Sequence, residues 1–134
     1  MVTPGGASRP TVDGLSASGE VLARLGRTMT VRRNGALSAN ATSQAFQVAD
    51  SLLRLVERQL VDPAGLPGRP FLRHQVFAAD RDNGYANVQF PAIVVALRDH
   101  DTPRAAAATA GLAERVRSAA ALVERATAAM PPVR

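Results

Sequence analysis

Residues 46–60, FQVADSLLRLVERQL, carry the most regular apolar pattern in this 134-residue chain. Apolar side chains recur there in steps of three and four residues, the spacing that places them on one face of an α-helix. This series consists of Phe46, Ala49, Leu53, Val56 and Leu60. We therefore predict a helix over about 37–61. It should end before Asp62-Pro63, because proline disfavours the helical conformation in the residue that precedes it.

A second apolar series widens the apolar face of this helix. Val48, Leu52 and Leu55 lie beside the first series on a helical projection. A helix that is apolar around most of its circumference lies in the centre of a core, or between a core and a partner. We therefore assign the first series to a core or dimer face. The same assignment covers three residues nearer the C-terminus: Leu112, Val116 and Val123.

The segment 15–33 shows a weaker helical pattern. Its apolar residues Leu22, Leu25 and Met29 recur at helical spacing, but two glycines within it lower its helix propensity. We expect this helix to stop at Asn34-Gly35, a pair typical of helix C-termini.

Two helices are predicted in the C-terminal third of the chain. The short segment 90–99 has Pro91 in its first turn, where the missing N–H breaks no helical hydrogen bond. A longer helix at 103–129 follows the candidate capping residues Asp101 and Thr102. Its apolar face comprises Leu112, Val116, Ala119, Val123, Ala126 and Met130.

The segment 62–89 has no helical pattern and carries three prolines and three glycines before Tyr85. An irregular stretch of this length within a domain is usually either functional or disordered. Its aromatic residues Phe71, Phe77 and Tyr85 favour a packed loop over a disordered one, and we expect Leu66 and Phe71 to bury their apolar surface. A short extended stretch is expected at 73–77.

The predicted fold is all-α: a helical bundle of about three long helices and one short helix, with one long ordered Pro/Gly-rich loop. A chain of this length fits one domain. We divide it into a flexible N-terminal tail at 1–14, a helical domain at 15–130 and a short tail at 131–134.

The composition excludes several functions. With no cysteine, the chain forms no disulfide and has no thiolate for zinc binding or nucleophilic catalysis. All 16 basic residues are arginine, and against 11 acidic residues they give a net charge of +5. The charge is spread evenly along the chain, which argues against nucleic-acid binding. We expect no membrane insertion and no signal peptide, and the compartment is unknown.

The two histidines are the remaining candidates for metal binding. His100 lies in Asp99-His100-Asp101, which favours a polar junction between helices, with Asp101 capping the second. His74 is expected to be at least half-buried and bonded to the backbone. A catalytic zinc site needs about three protein ligands, so we expect no metal and no cofactor.

A family resemblance lies in residues 53–77, LRLVERQLVDPAGLPGRPFLRHQVF, and continues at 83–86 and 90–93. These residues resemble the C-terminal dimerisation domain of the transferrin receptor and glutamate carboxypeptidase II family, a helical domain attached to zinc peptidases of the M28 type. The resemblance covers about 40–128. The segment 62–74, which we call the marker loop, carries its most specific residues: Asp62, Pro63, Gly65, Leu66, Pro67, Arg69, Pro70, Arg73 and His74.

The resemblance implies that zinc ligands and the general base belong to a peptidase domain that this sequence does not contain. In glutamate-specific relatives, a Lys-Tyr pair of this domain holds the substrate carboxylate. Here Gly84 replaces the lysine, so glutamate specificity does not transfer. Tyr85 and Asn83 are the substrate contacts that the resemblance implies for a complete enzyme.

Three functions are compatible with this sequence. The leading hypothesis is a homodimerisation module that is not itself an enzyme; we expect an apolar patch to be exposed, because the family's first helix is expected to be missing. The alternative is a fragment or subunit of an M28-type metallopeptidase that contributes to its substrate pocket, with a peptidase domain as the partner. A remote alternative is a small Arg-rich nucleic-acid binder.

Overall fold

The computed structural model describes residues 9–132, with side chains from residue 13 onward, and it is mostly helical, as predicted. Its elements are α1 (Arg9–Ser38), α2 (Ser43–Leu53), α3 (Val56–Gln59), β1 (Phe77–Ala79), β2 (Asn87–Gln89), α4 (Pro91–Arg98) and α5 (Thr102–Ala129). The described chain forms two compact units. We call residues 17–59 and 115–132 the helical unit, and residues 9–16 and 60–114 the loop unit.

The core of the helical unit is formed by residues of α1, α2 and α5, together with the residue that follows α5. Its buried residues are Met29, Ala36, Ala49, Val123, Ala126 and Met130. Ala49 and Ala126 have no exposed surface, and such small side chains allow helices to approach closely. The surrounding half-buried residues include Leu22, Leu25, Phe46, Leu52, Leu53 and Val56. Apolar residues of α1, α2 and the C-terminal part of α5 therefore share this core.

α1 is longer than predicted at both ends. It begins at Arg9, so residues 9–14 are helical instead of forming a tail; residues 1–8 lie outside the described part of the chain. Pro10 is tolerated because it stands in the first helical turn. At the other end, α1 continues past Asn34-Gly35, since a glycine within a helix costs only about 1 kcal/mol. Burial of the next residue, Ala36, offsets this cost.

Asn40 ends α1 by adopting the left-handed conformation, with φ of +53°. The N–H of Ala41 donates to the carbonyl oxygen of Ala36 at 2.9 Å, and the N–H of Asn40 donates to that of Leu37 at 3.2 Å. This pair of hydrogen bonds defines a Schellman motif, in which asparagine is the usual alternative to glycine. The second helix therefore begins at Ser43 and not near residue 37.

The helix predicted over 37–61 is also interrupted near its C-terminus. α2 ends at Leu53, and a turn at Arg54 and Leu55 separates it from the four-residue α3. After α3, the carbonyl oxygen of Leu60 accepts a hydrogen bond from the N–H of Gln75 at 2.9 Å. Because the backbone from Leu60 onward pairs with the loop, it cannot continue as a helix. Within residues 9–132, two helices are therefore long, α1 with 30 residues and α5 with 28.

The loop unit contains a small antiparallel sheet that the sequence pattern did not predict. β1 pairs with β2 so that Ala78 lies opposite Val88. A separate antiparallel bridge joins Val61 to His74. The extended stretch predicted at 73–77 thus lies a few residues before the observed strand, β1.

The marker loop buries one of the two apolar residues that were expected to pack. Leu66 is 3% exposed, whereas Phe71 is 75% exposed, so the prediction that Phe71 is packed is wrong. The reason is a tight turn, in which the N–H of Leu72 donates to the carbonyl oxygen of Arg69 at 3.0 Å. Phe71 stands at the corner of this turn, where side chains extend away from the protein.

The junction between α4 and α5 is formed by backbone and capping interactions, as predicted. His100 has φ of +55°, and the N–H of Asp101 donates to the carbonyl oxygen of Ala96 at 2.9 Å, which completes a Schellman motif. A side-chain oxygen of Asp101 then accepts the N–H of Arg104 at 3.0 Å, so Asp101 caps α5. His100 therefore has a structural position between two helices.

Candidate interaction site

The marker loop is shaped by hydrogen bonds of Asp62 and by the conformation of Gly65. A carboxylate oxygen of Asp62 accepts a hydrogen bond from the N–H of Ala64 at 3.0 Å. The carbonyl oxygen of Asp62 accepts a second hydrogen bond, from the N–H of Gly65 at 2.9 Å. Gly65 has φ of +71°, and the backbone of Pro70 lies directly against its Cα. The N–H of Asp62 also donates to the carbonyl oxygen of Arg73 at 2.8 Å, which closes the loop.

Arg69 and His74 fasten this loop to the neighbouring strand. A guanidinium nitrogen of Arg69 donates to the carbonyl oxygen of Ala79 at 2.8 Å. The Nδ1 atom of His74 accepts the N–H of Val76 at 3.2 Å, and its ring lies 4.1 Å from that of Phe77. His74 is half-buried. These two residues therefore support the loop instead of presenting reactive groups.

The turn between β1 and β2 presents Tyr85 to solvent. One carboxylate oxygen of Asp80 accepts a hydrogen bond from the N–H of Asp82 at 2.7 Å. The side-chain oxygen of Asn83 accepts a hydrogen bond from the N–H of Tyr85 at 3.0 Å. Gly84 adopts φ of +70° between them. The ring of Tyr85 is 99% exposed. The turn is thus ordered by its own side chains, while Tyr85 lies almost entirely in solvent.

An ion-pair network connects this turn to the junction between α4 and α5. Arg98 contacts both Asp80 and Asp82 at 3.0 Å. The carboxylate of Asp99 accepts hydrogen bonds from the guanidinium groups of Arg81 at 2.9 Å and Arg104 at 2.8 Å. Because these pairs share members and join three segments of the loop unit, they hold the Tyr85 turn against the end of α4.

Two carboxylates of this network have lowered pKa values. The hydrogen bond from Arg98 is the main reason that the pKa of Asp80 lies below its ordinary value of 3.8, with further stabilisation from the N–H of Asp82. The hydrogen bonds from Arg81 and Arg104 lower the pKa of Asp99 in the same way. Both groups are therefore held in the charged form that the arginines require.

We expect this network to make the loop unit sensitive to acid. A carboxylate whose pKa is lower when folded contributes stability above its unfolded pKa and loses it as the pH falls through the folded pKa. The urea unfolding midpoint should thus stay level from about pH 7 to 5 and fall below about pH 4. The measurement is urea unfolding followed by circular dichroism at each pH.

The control is the double variant Asp80→Asn with Asp99→Asn, which carries no titrating carboxylate at these positions. It should be less stable than the unaltered chain at pH 7 but should lose less stability on acidification. An equally steep loss in the double variant would show that the network does not cause the acid sensitivity.

Each unit exposes large apolar side chains. In the loop unit, Phe77, Phe90 and Leu97 are exposed, in addition to Phe71 and Tyr85, so the prediction that the aromatic residues of this segment are packed is also wrong for Phe77 and Tyr85. Phe90 also adopts a left-handed conformation, with φ of +51°, which is uncommon for an aromatic residue. In the helical unit, the exposed apolar residues are Val21, Val31, Leu37, Val48 and Leu55.

The residues assigned to a core or dimer face divide between the two units. In the helical unit, Ala49, Val116 and Val123 are buried, and Phe46, Leu53 and Val56 are half-buried. In the loop unit, Leu112 is buried and Leu60 is half-buried. Of the second series, Leu52 packs against the core, whereas Val48 and Leu55 remain exposed. Val48 of α2 and Leu55 of the following turn are therefore the members of the second series that are available to a partner.

The ion-pair network is the feature that sequence reasoning missed. Its signal was the close alternation of aspartate and arginine at 80–82 and at 98–101. Among the described residues, no group of three His, Cys, Asp or Glu could hold a metal ion. Within the same part of the chain, no helix is long and apolar enough to span a membrane.

These features define a class of protein: a mostly helical domain with an ordered, ion-paired loop and several large apolar side chains on its surface. The family model of the transferrin receptor-like dimerisation domain matches residues 12–124, and the chain belongs to this family. The match begins well before residue 40, where the sequence resemblance starts, and therefore includes most of α1.

Proposed function

We propose that this chain is a homodimerisation module without catalytic machinery of its own. The family match supports a dimerisation domain, and the exposed part of the second apolar series supports a pairing surface. Val48 is 45% exposed and Leu55 is 37% exposed, although both are large apolar residues beside the core face of α2. Burying such a side chain against a partner removes it from water, which contributes about 1.5–3 kcal/mol to the free energy of association when the burial is complete.

A second copy of the chain is the partner that requires the fewest assumptions. In a two-fold dimer, the same patch serves both copies, so one exposed apolar surface is sufficient for a closed assembly. Val48 lies in α2 and Leu55 in the turn that follows it, and both are exposed. We therefore place the dimer contact along α2 and the turn that follows it.

The proposal includes no catalytic role and no cofactor. A catalytic zinc site takes about three protein ligands, and no group of three His, Cys, Asp or Glu within the described residues could hold a metal ion. His74 accepts backbone N–H groups through Nδ1, and His100 ends α4 in a left-handed conformation. We propose that in an M28-type peptidase the zinc ligands and the general base would come from the peptidase domain.

The test replaces Val48 and Leu55 together with glutamate. Two buried negative charges per copy should repel one another across the two-fold axis, and the dimer dissociation constant should rise by at least about 100-fold. Sedimentation equilibrium over a range of protein concentrations measures this constant.

The matched control is Gln47→Glu with Ser51→Glu, which adds the same charge to exposed positions of the same helix. The control variant should dimerise like the unaltered chain. Equal weakening in both variants would mean that general charge repulsion is responsible, and the α2 surface would then be excluded.

The exposed tyrosine favours a second function, in which the chain contributes to the substrate pocket of an M28-type metallopeptidase. Tyr85 is held outward by an ordered turn, and Asn83 orders its backbone. In such an enzyme, the tyrosine hydroxyl would donate a hydrogen bond to the substrate. A chain that is monomeric alone but forms a one-to-one complex with a peptidase domain would support this function and contradict the first.

A further inference from the structure

The sequence contains two Asn-Gly pairs, Asn34-Gly35 and Asn83-Gly84. An asparagine is reactive in this setting, because glycine has no side chain to hinder the attack of its backbone nitrogen on the asparagine side chain. Both asparagines are exposed to solvent. The pairs differ in backbone conformation, since Asn34 lies within α1, whereas Asn83 lies in the turn between β1 and β2.

The turn holds the side chain of Asn83 over the peptide group that follows it. Its Oδ1 atom accepts hydrogen bonds from the N–H of Tyr85 at 3.0 Å and from the N–H of Ala86 at 3.1 Å. An asparagine oxygen bonded to the N–H two residues ahead closes an Asx turn, a ring that includes the peptide nitrogen in between. The Cγ atom of Asn83 and the backbone nitrogen of Gly84 are therefore held within one small ring.

These two hydrogen bonds also match the charge that an attack on Cγ creates. When a nitrogen adds to the carbon of an amide, negative charge develops on the amide oxygen, which is Oδ1 in Asn83. Donors that already point at such an oxygen lower the barrier, as the N–H groups of an oxyanion hole do. The N–H groups of Tyr85 and Ala86 are such donors.

The attacking nitrogen of Gly84 is accessible. Gly84 adopts φ of +70°, and apart from its chain neighbours no atom lies within 4 Å of the position where a Cβ atom on it would stand. One contact opposes the reaction, because the N–H of Gly84 donates to the carbonyl oxygen of Asp80 at 3.1 Å and must be released first. This is a single hydrogen bond beside an exposed turn, whereas two donors favour the attack.

The helix protects the other pair. The carbonyl oxygen of Asn34 accepts a hydrogen bond from the hydroxyl of Ser38 at 3.1 Å. The carbonyl oxygen of Gly35 accepts one from the N–H of Ala39 at 3.0 Å, so the helix continues through the pair. In such a helix, the N–H of Gly35 itself donates to the carbonyl oxygen four residues earlier. Freeing this nitrogen would unwind the segment that carries Ala36, which is buried in the core.

We propose that Asn83 is a self-modification site of the folded chain, at which asparagine is converted to aspartate or isoaspartate. The backbone nitrogen of Gly84 loses its proton to water and forms a bond to Cγ of Asn83. The bond between Cγ and Nδ2 then breaks, and Nδ2 leaves as ammonia with a proton from water, which gives a cyclic imide. One water molecule opens the imide at either carbonyl carbon. Asparagine and water thus yield aspartate or isoaspartate and ammonia.

The products change the turn that presents Tyr85. Either product adds one negative charge beside Asp80 and Asp82, which already share Arg98. In isoaspartate, Cγ becomes part of the main chain, so its oxygen is no longer a side-chain acceptor for the N–H groups of Tyr85 and Ala86. The isoaspartate form therefore loses the hydrogen bonds that order this turn. The reaction does not depend on whether the chain dimerises.

The experiment incubates the folded full chain in mildly alkaline buffer and follows both pairs by mass spectrometry of tryptic peptides. Cleavage after arginine separates the pairs, because Asn34 falls in peptide 34–54 and Asn83 in peptide 82–98. We expect Asn83 to be converted at least about tenfold faster than Asn34. In urea, where both pairs are unfolded, the two rates should be similar. Equal rates in the folded chain, or a slower reaction of Asn83 when folded than in urea, would overturn the proposal.

Two variants assign the acidic form of the intact chain, which isoelectric focusing separates. Asn83→Gln should prevent its formation, because the longer glutamine side chain has to close a larger ring, which forms much more slowly. Asn34→Gln, the matched control at the other exposed pair, should form it at the rate of the unaltered chain. An acidic form that arises as fast in Asn83→Gln as in the unaltered chain would place the reaction elsewhere and contradict the proposal.

Discussion

Replacing Gly65 with alanine is expected to destabilise the protein by about 3–5 kcal/mol, the largest effect of any single substitution in the marker loop. A Cβ atom on Gly65 would lie 2.6 Å from both the Cα and the carbonyl carbon of Pro70. Backbone atoms cannot rotate away as a flexible side chain can, so the loop must open. The left-handed φ of +71° adds about 1–2 kcal/mol for any residue with a Cβ.

Gly68→Ala is the matched control for this substitution. Gly68 also has a positive φ, +74°, but nothing lies within 4 Å of the position that its Cβ would occupy. The Gly68→Ala variant should therefore lose only the free energy that a Cβ costs in the left-handed conformation, about 1–2 kcal/mol. The free energy of unfolding in urea measures both values. Similar losses in the two variants would show that the approach of Pro70 is not what requires glycine at position 65.

The second large effect is expected for Leu66→Ala, at about 2–5 kcal/mol. Leu66 is almost fully buried, so truncating it removes apolar contacts and leaves a cavity that the loop can fill only in part. Its backbone also bonds to Leu72 and Arg69, at 2.8 and 2.9 Å, which fixes the side chain in place. Urea unfolding again gives the free energy.

Phe71→Ala, five residues away, removes a larger side chain but should cost less than about 1 kcal/mol, since most of that ring is already in water. If Phe71→Ala were the more damaging of the two variants, the loop would have to pack through its aromatic residue, and the described conformation would be wrong.

The sequence predicted the helices best where local chemistry and apolar spacing agreed. Pro91 and Asp101 predicted the starts of α4 and α5 to within one residue. Both residues favour a helix start through interactions with the adjacent backbone, which the local sequence determines. The prediction of the apolar face of α5 was also confirmed, because all six residues assigned to it are buried: Leu112, Val116, Ala119, Val123, Ala126 and Met130. Such signals need no knowledge of distant contacts.

Errors occurred where a distant contact outweighed the local signal. Asn34-Gly35 is a plausible helix end, but burial of Ala36 in the core carries the helix on to Ser38. The last residues of the predicted second helix are not helical because Leu60 pairs with Gln75, a contact that helical spacing cannot reveal. Phe71 was assigned to the packed part of the loop from its hydrophobicity, whereas the turn around it directs it outward.

The candidate sites depended on tertiary structure even more strongly. Asp80 and Arg98 are 18 positions apart, so their ion pair could not be identified from either local sequence. The two Asn-Gly pairs are also identical as sequence, and their different reactivity is expected only from the backbone around each. The marker loop, by contrast, was recognisable from its residues alone, since its prolines and glycines each satisfy a local backbone requirement.

The central claim, that this chain pairs with a second copy of itself, is tested most directly by its mass in solution. Light scattering at about 100 µM, an amount sufficient for a dimer of ordinary affinity, should give twice the chain mass of 14.0 kDa. Dilution should lower the mass toward that of a single chain. A mass of 14.0 kDa at the highest concentration, from a chain that melts in one sharp cooperative transition, would contradict the claim.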